Sequence, residues 1–211
     1  MQPSPEPSAP LVPTEVVRFR TDDGVELVGD IAVPATPRGA AIICHPHPSY
    51  GGNRFDHVVG ALFDALPARG VAALRFDFRQ DFGGGVAEAA DAIAAIEFVR
   101  RAAPDVPVLA VGYSFGAMVA LAVDGDDGQI TGKLLVAPPL SAMDPVEAPD
   151  LPTLVITPAH DQFTPPAAAE PIVAAWPDAE LVTVPMADHF LHGGTARVVD
   201  LALPWIDRIL G

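Results

Sequence analysis

"DVPVLAVGYSFGAMVALAVD", Asp105 to Asp124, carries no charge between its two bounding aspartates. Three structures compete for such a run. It could span a membrane. It could be a buried strand and a buried helix joined by a glycine turn. Or that same turn could hold Ser114 up as a nucleophile. The run sits at the lower edge of spanning length, about 18 residues, and Pro107, Gly112, Ser114 and Gly116 interrupt it. Its first half, "VPVLAV", is rich in β-branched valine; its second, "GAMVALAV", favours helix. A change of character at a glycine pair marks two elements rather than one span.

The rest of the chain supplies the context. Its 211 residues suit one domain of ordinary size, 14–211, behind a flexible proline-rich lead-in, 1–13. "MQPSPEPSAPLVP" lacks a basic residue and an apolar core, which argues against a signal or transit peptide and makes the cytoplasm the expected location. Half the residues are hydrophobic, enough for a large core. The net charge of -15 offers no basic footprint for nucleic acid or for an anionic membrane surface. Cys44 is the single cysteine, so no intrachain disulfide can form; in "AAIICH" it reads as a small buried hydrophobe.

Along the chain, "EVVRFRTDDGVELVGDIAVP" reads as a hairpin turning at Asp22-Asp23-Gly24. "GAAIICHPHP" is a wholly apolar strand running into prolines. Val58, Val59, Leu62, Phe63 and Leu66 fall at helical spacing, with Gly70 placed to end that segment. "VAALRFDF", "VPVLAV", "KLLVAPP", "PTLVITPA" and "AELVTVP" read as further strands. "VAEAADAIAAIEFVRRAAP", "FGAMVALAV", "PPAAAEPIVAAWP" and "TARVVDLALPWIDRIL" read as helices, with Pro171 and Pro204 expected to limit or bend the last two. A hairpin followed by alternating strands and helices implies an α/β fold: a mostly parallel sheet with helices on both faces and no lid domain.

Within that frame "GYSFG", Gly112 to Gly116, fits G-x-S-x-G, a nucleophile elbow between strand and helix. Serine needs a base, and hydrolases with this elbow place the acid next and the histidine last. "ITPAHDQFTPP" supplies Asp161 just past one strand, and "VPMADHFLHGG" supplies His189 just past the next. Both lie at carboxyl ends of strands, where open α/β sheets keep their ligand crevices.

Other residues have competing readings. His192 lies close to His189 but fits the motif position less well. Asp77, at the end of a strand, is an alternative acid. Asp188 neighbours the histidine, and adjacent side chains point apart. His160 reads as a loop residue. His45 and His47 form an H-x-H pair without an apparent third ligand, so no metal is expected. Gly83-Gly84-Gly85 lacks the lysine of a phosphate loop and reads as a flexible loop near the crevice.

"HPHPSYGG", "LRFDFR", "VGYSFGA", "HDQFTP" and "ADHFLHG" together resemble the α/β-hydrolase superfamily. Within it they are similar to the small lidless bacterial hydrolases compared with dienelactone hydrolases and acyl-peptide esterases. The resemblance covers residues from about 40 to about 195. It implies a serine esterase acting on a small acyl substrate through a triad of Ser114, His189 and Asp161, and no cofactor is expected. It also implies two backbone amides for the oxyanion, one from Phe115 and one from the "HPHPSYGG" loop. Pro46 and Pro48 have no amide hydrogen, so His47 is the first choice there and Tyr50 the second. Thioesters and amides suit the same machinery, and some members of this fold bind ligands without catalysis. Where relatives carry glycine and small polar residues after "RFDFR", this chain has Gln80-Asp81-Phe82, which weakens any inference of substrate.

Overall fold

The computed structural model describes residues 12–123, 130–143 and 147–211; most of the lead-in assigned to 1–13 lies outside them. Eight strands form one sheet: β1 (Thr14–Arg20), β2 (Glu26–Ala32), β3 (Gly39–Cys44), β4 (Val71–Phe76), β5 (Val108–Tyr113), β6 (Gly132–Val136), β7 (Thr153–His160) and β8 (Ala179–Asp188). Their order is β1-β2-β4-β3-β5-β6-β7-β8. β2 runs antiparallel to both β1 and β4, and every later pairing is parallel. Five helices accompany them: α1 (His57–Ala65), α2 (Val86–Ala102), α3 (Phe115–Ala122), α4 (Pro166–Val173) and α5 (Thr195–Leu210). α4 ends shortly after Pro171, whereas α5 continues through Pro204 to Leu210.

Crossovers between parallel strands are right-handed, and this sorts the helices. From β3 the chain steps one way to β4 through α1, then back across β3 to β5 through α2. The reversal puts α1 on the opposite face from α2. Residues of α2, α3 and α4 pack into one core; those of α1 and α5 pack into the other. Successive side chains of a strand point to opposite faces. Accordingly Ala40, Ile42 and Cys44 belong to the first core, and Ala41 and Ile43 to the second. That is why β3, β5 and β6 read as unbroken apolar runs: they are buried along their whole length.

The opening stretch divides as its composition suggests. β5 ends at Tyr113, α3 begins at Phe115, and only Ser114 lies between them. Among the described residues no helix is long and apolar enough to cross a membrane. The hairpin turn also forms where Asp-Gly stands: Gly24 has φ +87° and donates to the Thr21 carbonyl at 2.9 Å.

Candidate active site

The turn at Ser114 is strained. The serine holds φ +53° and ψ -117°, a conformation that non-glycine residues rarely adopt. Its amide donates to the Val136 carbonyl of β6 at 2.8 Å, and its carbonyl accepts from Ala117 at 2.9 Å. The flanking glycines permit this. A Cβ on Gly112 would lie 2.1 Å from the Gly116 carbonyl oxygen, and one on Gly116 would lie 2.2 Å from the Cys44 carbonyl oxygen. The neighbour in each case is backbone, which cannot rotate away. Gly116→Ala should therefore cost about 3 kcal/mol, the upper end of overpacking penalties. Urea unfolding would measure it, and a loss below about 1 kcal/mol would mean that β3 yields easily.

Three side chains from separate strand ends converge here. Ser114 Oγ lies 2.8 Å from His189 Nε2, and His189 Nδ1 lies 2.8 Å from Asp161 Oδ2. Asp161 and His189 are buried, while the serine remains partly exposed. The other carboxylate oxygen of Asp161 accepts the amides of Phe163 at 2.8 Å and Thr164 at 3.0 Å, which fixes its rotation. The competing residues stand elsewhere. His192 is exposed and stacks on His57, with ring centroids 5.1 Å apart. Asp77 accepts the Arg54 amide at 2.8 Å and pairs with its guanidinium. Asp188 is exposed and accepts the Phe190 amide. His160 is exposed at the end of β7.

Residues not singled out from sequence hold the histidine in place. Tyr113 Oη donates to the His189 carbonyl at 2.9 Å; burial pushes its phenol up, so it stays a neutral donor. Gln162 Oε1 accepts the His189 amide at 3.1 Å. His57 Nε2 donates to the Phe190 carbonyl at 3.0 Å. Tyr113 belongs to the elbow motif and could have been flagged. Gln162 and His57 reach the site only through tertiary approach.

The loop after β3 is tightly self-bonded. The amides of Tyr50 and Gly52 both donate to the His47 carbonyl, each at 3.1 Å; Gly51 donates to Pro48, and Ser49 donates to the His47 ring. His45 is buried, and both its nitrogens are used. Nδ1–H donates to the Pro46 carbonyl at 2.6 Å, and Nε2 accepts the Phe78 amide at 3.1 Å. That pattern requires the neutral ring, and burial accordingly lowers its pKa. Among the described residues no three potential ligands come together to hold a metal. Cys44 is fully buried, and burial pushes its thiol up, away from reactivity.

The loop from Gln80 to Gly85 is less free than its glycines imply. Buried Glu88 accepts the amides of Gly83 at 2.8 Å and Gly85 at 2.7 Å, and buried Asp91 accepts the Arg79 amide at 2.9 Å. Tied at both ends, the loop sets the Phe82 ring against His47 and Phe115, with centroids 4.5 and 5.5 Å away.

A serine hydrolase homologue from Coxiella burnetii superposes with a TM-score of 0.82 at 27% identity, covering 91% of this chain and 97% of that one. A lidless serine hydrolase from Xanthomonas campestris superposes with a TM-score of 0.83 at 27% identity, covering 95% and 97%. The chain belongs to the α/β-hydrolase superfamily. An esterase from Pyrococcus furiosus shares the fold at a TM-score of 0.78 and 17% identity, over 95% of this α/β-hydrolase and 94% of that chain. An uncharacterized protein of Rickettsia prowazekii is 33% identical over 110 residues, which is 49% of this chain and 46% of that relative. No protein-family model matches.

Proposed function

We propose that this α/β-hydrolase is a serine esterase that cleaves an ester or related acyl compound through an acyl-enzyme. The observation that carries the reading is the unbroken relay from Ser114 Oγ through His189 to Asp161, with both links at 2.8 Å. With Asp161 ionised, His189 Nδ1–H donates to it, and Nε2 is left as the lone pair facing the serine. As Oγ attacks the acyl carbon, its proton passes to Nε2. The imidazolium then gives that proton to the leaving group, and water repeats the sequence to release the acid.

The oxyanion would accept the Phe115 and His47 amides. The first opens α3, where no carbonyl one turn earlier can take its hydrogen. In the loop after β3, Ser49, Tyr50, Gly51 and Gly52 spend their amides internally. Among the described residues the His47 amide meets no acceptor, which favours it over Tyr50. The close approach of the Cys44 and His45 carbonyls to Gly116 keeps this loop beside the elbow. Among the described residues no lid domain stands over the serine, so short acyl groups suit the site better than long lipid chains.

A fluorophosphonate probe should label Ser114 stoichiometrically, read by mass spectrometry of the modified peptide. A folded protein left unlabelled would overturn the assignment and favour a ligand-binding role for the fold.

A further inference from the structure

We infer that the acyl side of this site is shaped for a neutral aromatic ring, seated on the platform of Phe82, His47 and Tyr50. This rests on the serine-esterase reading and adds its substrate class.

Exposed aromatic side chains gather around the relay in two groups. Phe163 packs on His189 with centroids 4.4 Å apart. Phe82 packs instead on His47 and Phe115, and Tyr50 lies 5.0 Å from His47. Tyr50 is 90% exposed and Phe82 46%, so both offer ring surface to a ligand. The chemistry separates the two groups. His189 must reach the leaving-group oxygen, which puts the leaving group on the Phe163 side. The carbonyl oxygen must reach the amides of Phe115 and His47, so the acyl substituent lies beside the rings that those residues carry.

The platform is built rather than incidental. Phe82 stands on a loop whose two ends are tied to carboxylates buried at 0% exposure, Glu88 and Asp91. A fixed ring loses little entropy when a second ring stacks on it. The charged side chain beside Phe82 on this loop, Asp81, is a carboxylate, which would repel an anionic acyl group. Arg79, next to this loop in sequence, is already paired with Asp91 and Asp23, and Arg54, just past the His47 loop, with Asp30 and Asp77. An anionic acyl group would therefore find no free partner in either, whereas a neutral aryl ring needs none.

Methyl phenylacetate and methyl cyclohexylacetate provide the test. Both place one methylene between ring and carbonyl, and dividing by the ratio of their alkaline hydrolysis rates in water removes the greater intrinsic reactivity of the phenylacetate. The kcat/KM ratio corrected in this way is expected to be roughly three- to tenfold in favour of phenylacetate, the range of an aromatic pair. Phe82→Leu should bring the ratio near one, mainly through KM. Phe163→Leu, on the leaving-group side, should preserve it. A ratio near one in the unaltered protein, or equal losses in the two variants, would overturn the inference while leaving the esterase intact. Failure to cleave either ester by a protein whose Ser114 takes the fluorophosphonate would overturn it too. Failure of the labelling itself would bring down the underlying reading.

Discussion

Ser114→Ala is expected to lose ester hydrolysis by about five to six orders of magnitude in kcat, because the acyl-enzyme can no longer form. His189→Ala should lose a similar amount, and the double variant little more, since members of a relay act as one unit. Asp161→Asn is the more telling substitution. Oδ1 accepts two backbone amides, from Phe163 and Thr164. An asparagine must keep its carbonyl oxygen there, which turns its NH2 toward His189 Nδ1. The histidine then has to accept at Nδ1 and carry its proton on Nε2, facing the serine with a donor instead of a base. A loss of roughly 10⁴-fold follows from the wrong tautomer alone. Steady-state kinetics on a methyl ester would measure it. An Asp161→Asn variant within tenfold of the unaltered protein would remove Asp161 from the relay.

Arg79→Met is expected to destabilise the fold by about 3–5 kcal/mol at neutral pH, the cost of leaving one partner of a buried ion pair alone. Asp91 is fully buried, and burial already raises its pKa against the pull of the Arg79 guanidinium; Arg79 Nε donates to it at 2.9 Å. The same pairing holds the guanidinium's own pKa above its ordinary value. Without the arginine, Asp91 would keep its proton in the folded state well above the ordinary aspartate value of about 3.9. Between those two values the folded variant binds more protons than the unfolded chain, so its stability falls as pH rises. The deficit should thus be smaller at about pH 4.5 than at about pH 7.5 by urea unfolding. A deficit equal at both values would mean that Asp91 does not depend on Arg79 for its charge.

Much of the architecture was legible because period and punctuation agreed. Fully buried strands such as "GAAIIC" and "VLAVGY" show no polar alternation, and turn residues bound them. The order of Ser114, Asp161 and His189 could be read because each stands at a strand's carboxyl end, a position that secondary structure alone determines. What supports them could not be read. Gln162 meets the His189 amide and His57 the neighbouring Phe190 carbonyl, across gaps of 27 and 133 residues, and no local pattern marks such an encounter. The glycines at 83–85 misled for a related reason. Their composition suggests mobility, but Glu88 fastens them from the first turn of α2, and a glutamate in a helix's first turn is too common to signal that task.

The way the elbow packs divides the site into unequal halves. The serine and the amides proposed for the oxyanion sit where β3, β5 and α3 touch backbone to backbone, in the interior of the sheet. Asp161 and His189 follow β7 and β8, and β8 is one of the sheet's two edges, with half of its residues exposed. Fraying at such an edge requires far less free energy than opening the centre. A small disturbance there would displace His189, the proposed base, while Ser114 kept its conformation. An edge of the sheet would then set the working range of the proposed chemistry, and substitutions that stiffen β8 would extend it without touching Ser114 or His189.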